Sequence, residues 1–190
     1  MTSLISLYAA ACARLDRADW LLPTLARLLF AAILLVYFWK SALTKLGDSL
    51  FTPSLGAYAQ IFPRAMEAAG YDASQLALFH RTVVLAGTWA EFLLPALLLL
   101  GLLTRLAALG MIGFILVQTL TDLFGHGVLG EPASLGAWFD NAPGSLILDQ
   151  RALWVFLLLT LVIKGAGPLS LDHLFARPLS PTADPVPSSD

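Results

Sequence analysis

The amino-acid sequence predicts an all-α protein, a membrane-spanning four-helix bundle with a long connector between helices 1 and 2. Three observations carry that expectation. Hydrophobic residues fill 58% of the 190 positions and charged residues only 13%, where soluble domains are roughly 45–50% apolar. Mean hydropathy is +0.78. Four segments can supply the about 20 mainly apolar residues that a helix needs to cross about 30 Å of hydrocarbon.

The elements follow in order. Residues 1–20 form a tail in which Leu4, Leu7, Tyr8, Ala11 and Leu15 recur at helical spacing, which suits a weak interfacial helix. The first span is expected over residues 21–40, with Asp19 as its cap, Pro23 in its first turn, and Trp20 and Trp39 as interfacial anchors. A connector follows in which Leu55, Tyr58, Phe62 and Met66 share a stripe, while Pro53 and Pro63 limit any helix.

Asp72 and Gln75 have the spacing of a cap and its partner, so the second helix is expected to begin at Ala73, with its membrane span over residues 80–102. A tight turn leads to the third span, residues 106–124, which Gly125 ends. The run from Ala152 to Ile163 covers only about 18 Å. The fourth span therefore recruits residues from the Pro143–Gly144 turn onward and covers 146–164, which brings Asp149 and Arg151 to membrane level. The membrane domain is expected to occupy residues 21–175. Residues 176–190 are too rich in proline and polar groups to fold.

Composition excludes several functions. Eleven Lys+Arg against thirteen Asp+Glu give a formal charge of -2, so no basic face is available for nucleic acid. The single cysteine, Cys12, excludes dithiol chemistry by this chain alone. Arg14 and Arg17 follow the first apolar run instead of preceding it, so that run is not expected to be a cleaved signal. Arg14, Arg17, Arg105, Lys164 and Arg177 on one face balance Lys40, Lys45, Arg64, Arg81 and Arg151 on the other, so charge gives no orientation.

Glu91 stands inside an apolar stretch, where an ionised carboxylate costs roughly 2.5–3.5 kcal/mol on insertion scales. It should face the bundle interior with a partner. Arg27 lies within about 6 Å of its depth when both are counted from one membrane face. Gln118 is at a similar depth, and Pro95 leaves the Glu91 carbonyl without its helical donor. Arg27, Glu91 and Gln118 are therefore the first candidate centre, either a site of chemistry or an interhelical clamp. Arg27 also has the option of snorkelling to the headgroups.

A second candidate centre gathers at the opposite mouth. Lys40 or Lys45, His80, Arg81, Asp122, His126, Asp149 and Arg151 come from all four helices. They can bind an anion or a quinone headgroup as a cofactor site, or stand as a solvated interfacial band. Asp122, His126 and His80 can ligate a transition metal, although their spacing is not diagnostic and the metal stays unknown.

Together, the first helix with Arg27 and a following lysine, the stretch "AGTWAEFLLPALLLLGLLTRLAAL" and the ending "KGAGPLSLDHLF" resemble the DoxX family of small four-helix bacterial membrane proteins. The connector of about forty residues is longer than is usual in that family, and Lys45 fits its lysine spacing better than Lys40. The resemblance implies a multi-pass protein of the bacterial cytoplasmic membrane with both termini cytoplasmic. It further implies a redox-linked or metal-stress accessory role, with a quinone as the cofactor to consider and a protein partner or homo-oligomer beside the lipid bilayer. In that reading Glu91 and Arg27 are the catalytic centre. The alternatives are a non-enzymatic scaffold whose connector docks a partner and a small transporter, for which no inverted repeat is visible.

Overall fold

The computed structural model describes residues 2–176, and the proline-rich tail from residue 177 onward lies outside them. Its helices are α1 (Thr2–Asp16), α2 (Leu21–Lys45), α3 (Leu55–Ile61), α4 (Pro63–Ala68), α5 (Leu78–Leu100), α6 (Thr104–Leu120), α7 (Pro132–Leu135), α8 (Ala152–Lys164) and α9 (Leu171–Ala176). Four stretches are long and apolar enough to cross a membrane: Leu21–Lys45, Leu78–Leu100, Thr104–Gly125 and Leu146–Lys164. They form a closed ring in which α2 packs on α5 and α8, and α6 packs on the same two.

The core is a column of side chains from all four helices. Phe30, Leu34 and Phe38 of α2 meet Leu98 of α5, Met111 and Ile115 of α6, and Leu158 and Leu161 of α8. Ala107 and Ala108 let α6 approach closely. Outside the ring the leucines and phenylalanines are exposed, as a helix surface turned to lipid requires.

Three boundaries differ from the sequence expectation. The first span runs on to Lys45, because no glycine or proline interrupts it before Gly47 and its last side chain is buried. The second helix does not begin at Ala73. Asp72 caps a single tight turn, Ala73–Gln75, by accepting from the backbone N–H of Ser74, and extended backbone at Leu76 and Ala77 separates that turn from α5. Ala176 belongs to α9, not to a disordered tail.

Two ends of the spans are wider π-helical turns, Thr121–Gly125 after α6 and Leu146–Arg151 before α8. The connector is organised as well. Pro63 opens α4, and Tyr58, Met66 and Val84 form a small second core that fixes α3 and α4 to α5. The connector thus roofs one end of the bundle, here called the connector face. The termini and the α5–α6 turn define the opposite, terminal face.

Candidate functional site

Arg27 and Glu91 do not pair. Side chains on a helix tilt toward its N-terminus, and α2 and α5 run in opposite directions. Arg27 therefore reaches toward the terminal face and Glu91 toward the connector face, and their similar backbone depths do not bring them together.

Arg27 is 3% exposed and donates to the carbonyls of Leu99 and Leu169, tying the end of α5 to the loop after α8. Gly101, at φ 66°, closes the same knot. A Cβ there would collide with the Arg27 guanidinium and Ser170. Asp172 completes it by accepting from the backbone N–H groups of Leu103 at 2.7 Å and Thr104 at 2.8 Å, which caps α6 from outside the helix. Burial disfavours the Asp172 carboxylate, but these backbone hydrogen bonds and the Arg27 charge outweigh it and hold the group below its usual range.

The partner of Glu91 is Lys45. Its Nζ donates to both carboxylate oxygens at 2.9 Å and to Ser41 Oγ at 2.6 Å, while Ser41 Oγ donates to Glu91 Oε1 at 3.2 Å. Lys45 and Glu91 are 4% and 3% exposed. The three ammonium hydrogens thus have three acceptors, which is what keeps a buried ion pair from being a net penalty. Trp39 donates to the carbonyl of Phe92, next to the one that Pro95 leaves without its helical donor, and α5 continues through Pro95.

This pair forms one wall of a pocket of about 380 Å³ between α5 and α6. Its other polar contributors are Gln118, Thr121 and Asp122, with Gln60 of α3 above. The remaining walls are apolar or small, including Ala86, Gly87 and Ala90 of α5 and Gly110 and Gly113 of α6. Gln118 donates from its amide to the Tyr37 hydroxyl at 3.4 Å, and its buried Oε1 has no partner among the described residues. An apolar chamber with a few convergent polar groups, one of them unmet, is the form that small-ligand sites take.

The expected cofactor cluster at the connector face is divided. Lys45 and Asp122 line the pocket. Arg151, 3% exposed, stands behind it and donates to Thr119 Oγ1 at 2.9 Å and to Asp122, locking α6 to the start of the fourth span. Asp149 accepts from the N–H of Ser145 at 2.8 Å and serves as a local cap. His80 packs its ring on Phe62, with centroids 4.7 Å apart. Arg81 borders a separate cleft beside Tyr58 and Ser74. His126 contacts the Gln60 carbonyl through Nε2 at 2.9 Å. Asp122, His126 and His80 do not converge, and no group of three metal-ligating side chains is assembled among the described residues.

Sequence reasoning did not single out Ser41, Thr119, Tyr37 or the small residues of the pocket. Signals for some of them were present. Ser41 lies at i, i+4 to Lys45, and Ala86, Gly87 and Ala90 share one helical face.

A family model described as DoxX matches residues 22–127, more than half of the chain. No curated protein and no solved structure matches it. The matched residues hold the first three spans and the connector, and with them every polar residue of the pocket. The chain belongs to the DoxX family.

Proposed function

We infer that this DoxX-family membrane protein is an accessory or subunit of a redox-linked or metal-stress system in the bacterial cytoplasmic membrane, and that its pocket binds a quinone. The observation that carries this reading is the buried Lys45–Glu91 pair on the wall of an apolar chamber at membrane depth. Gln118 offers an amide N–H for a carbonyl oxygen or, through the free Oε1, an acceptor for a hydroxyl, and Lys45 donates to a ligand only by releasing Ser41 or one Glu91 oxygen. A quinol loses two protons with its two electrons. Glu91 is the carboxylate placed to accept one of them, and Asp122 is the second carboxylate in the same pocket.

Both termini are assigned to the cytoplasm on family grounds, since the charges of the two faces balance. Electrons would pass to or from a protein partner, because the chain's lone cysteine provides no dithiol route. Arg27 moves out of the chemistry in this reading and becomes a structural residue of the terminal face.

The test is quinone-linked activity and quinone occupancy of the purified membrane complex with Glu91→Gln. Loss of activity by at least tenfold, with the protein still folded and Lys45 still hydrogen-bonded to the amide oxygen, supports the assignment. An unchanged rate rejects it. A second reading, a clamp that serves a scaffold, is favoured by the completeness of the Lys45–Ser41–Glu91 hydrogen bonding. It requires that Glu91→Gln lower stability or partner capture while turnover is absent from the wild type.

A further inference from the structure

We propose that the pocket takes its ligand sideways from the bilayer, through a slot on the α5–α6 face beside Gly110 and Gly113, and that the ligand is a tailed amphiphile whose apolar chain lies in that slot. This rests on the reading of the pocket as a ligand site and adds its route and its ligand class.

The pocket runs along α6 from Asp122 to Gly110, twelve residues or about 18 Å. Its connector end is bordered by Ile61 and by Gln60, itself exposed, of α3. That border is held to the end of the third span, because His126 contacts the Gln60 carbonyl and a Cβ on Gly125 would come within 3.0 Å of Pro63.

The α6 side is different. Gly110, Gly113 and Val117 line the pocket and are also exposed. On a helix that crosses a membrane, an exposed side is turned to lipid. The same residues are thus pocket wall and lipid-facing surface, so the chamber communicates with the acyl region. A Cβ built on Gly113 meets no atom within 4 Å, whereas one on Gly110 lies 3.1 Å from Leu94, where the slot narrows.

Polarity is distributed to match. Lys45, Glu91, Gln118 and Asp122 lie toward the connector end, and apolar Leu94 and Phe114 stand with the glycines at the other. A ligand that satisfies both halves has an oxygen-bearing head and a hydrocarbon tail.

The experiment is equilibrium binding of two probes, a decyl-substituted benzoquinone and the same headgroup without the chain, to the full protein in nanodiscs of fixed lipid content. Comparing protein variants in identical discs cancels partitioning of the tail into lipid. A tail that comes from lipid gains packing in the slot and not release from water, so the tail advantage is how far the decyl-to-short affinity ratio on the wild type exceeds the ratio of the two probes' partition into protein-free discs. Gly113→Phe fills the slot from its lipid side and should erase that advantage while leaving the short probe's affinity unchanged. Gly113→Leu, a smaller plug, gives the same test if the phenylalanine variant does not fold. A tail advantage that survives the plug overturns the proposal and leaves the quinone site standing. Failure of the wild type to bind either probe overturns both.

Discussion

At the terminal end of α2, Arg27 directs its guanidinium to two backbone carbonyls, beside an aspartate that caps α6. Eighteen residues along the same helix, about 27 Å away, Lys45 directs its ammonium to one carboxylate and one hydroxyl. Both cations are almost wholly buried. The difference lies in what they hold and what lies beside them. Arg27 joins main-chain segments that must meet for the ring to close, and its planar fork suits two carbonyls at once. Lys45 has its short contacts to side chains, with one long contact to the Ser41 carbonyl at 3.5 Å, and it faces a chamber with room for another molecule. Burial of charge in a membrane protein is therefore not by itself a sign of chemistry; a charge held mainly by side chains beside empty space is the better candidate.

The largest effect is expected where that distinction is broken by removing one charge. Lys45→Met leaves Glu91 buried without its cation and should destabilise the protein by about 3–5 kcal/mol, read as the thermal midpoint in detergent. Adding Glu91→Leu removes the stranded carboxylate and should return most of that stability, because apolar replacements of a buried pair are often neutral. Quinone binding should stay lost in the double variant. Recovery of stability together with binding would mean that the pair is a clamp.

The next effect tests the other end. Arg27→Met withdraws the donors from the Leu99 and Leu169 carbonyls, at about 1–3 kcal/mol for each buried group left unmet. A total of about 2–6 kcal/mol is expected in the same melting assay, and Arg27→Lys should recover little, since one ammonium cannot reproduce the fork. The folded fraction should bind quinone as the wild type does. Loss of quinone affinity without loss of stability would return Arg27 to the site.

Much of this architecture was legible in the sequence because lipid imposes few solutions on a polar backbone. The four spans, the hairpin at Gly101 and the recruitment of residues 146–151 into the last span all follow from hydropathy, length and turn residues. The two ends of α2 were less legible for a reason of direction. Counting depth along helices places Arg27 near Glu91, but antiparallel helices tilt their side chains oppositely, so Lys45, further along the helix, is the residue that points back toward the carboxylate. The pocket was illegible because small residues in a membrane helix read equally well as close packing. Gly113 is seen to border open space, and Gly110 to face Leu94, only when the neighbouring helix is in place. Asp172 could be seen as part of a motif, but its role as the cap of a distant helix depends on where α9 returns.

Asp172 also gives the smallest and most specific test of the terminal end. Its folded-state pKa is depressed, with burial opposing ionisation and the hydrogen bonds from Thr104 and Leu103 and the Arg27 charge favouring it more strongly. The ionised form is thus preferred by the folded protein. Its contribution to stability is complete above the ordinary aspartate value of about 3.9 and is lost as pH falls through the lower folded-state value. Asp172→Asn keeps one acceptor and the shape of the cap but not the charge, so the wild type should exceed it by about 1 kcal/mol at neutral pH, within the range of helix caps and reduced because the site is partly wet. The gap in thermal midpoint should be constant from pH 5 to 8 and close below about pH 4. A gap that persists in acid would mean that the second oxygen of the cap, and not its charge, makes the difference from asparagine.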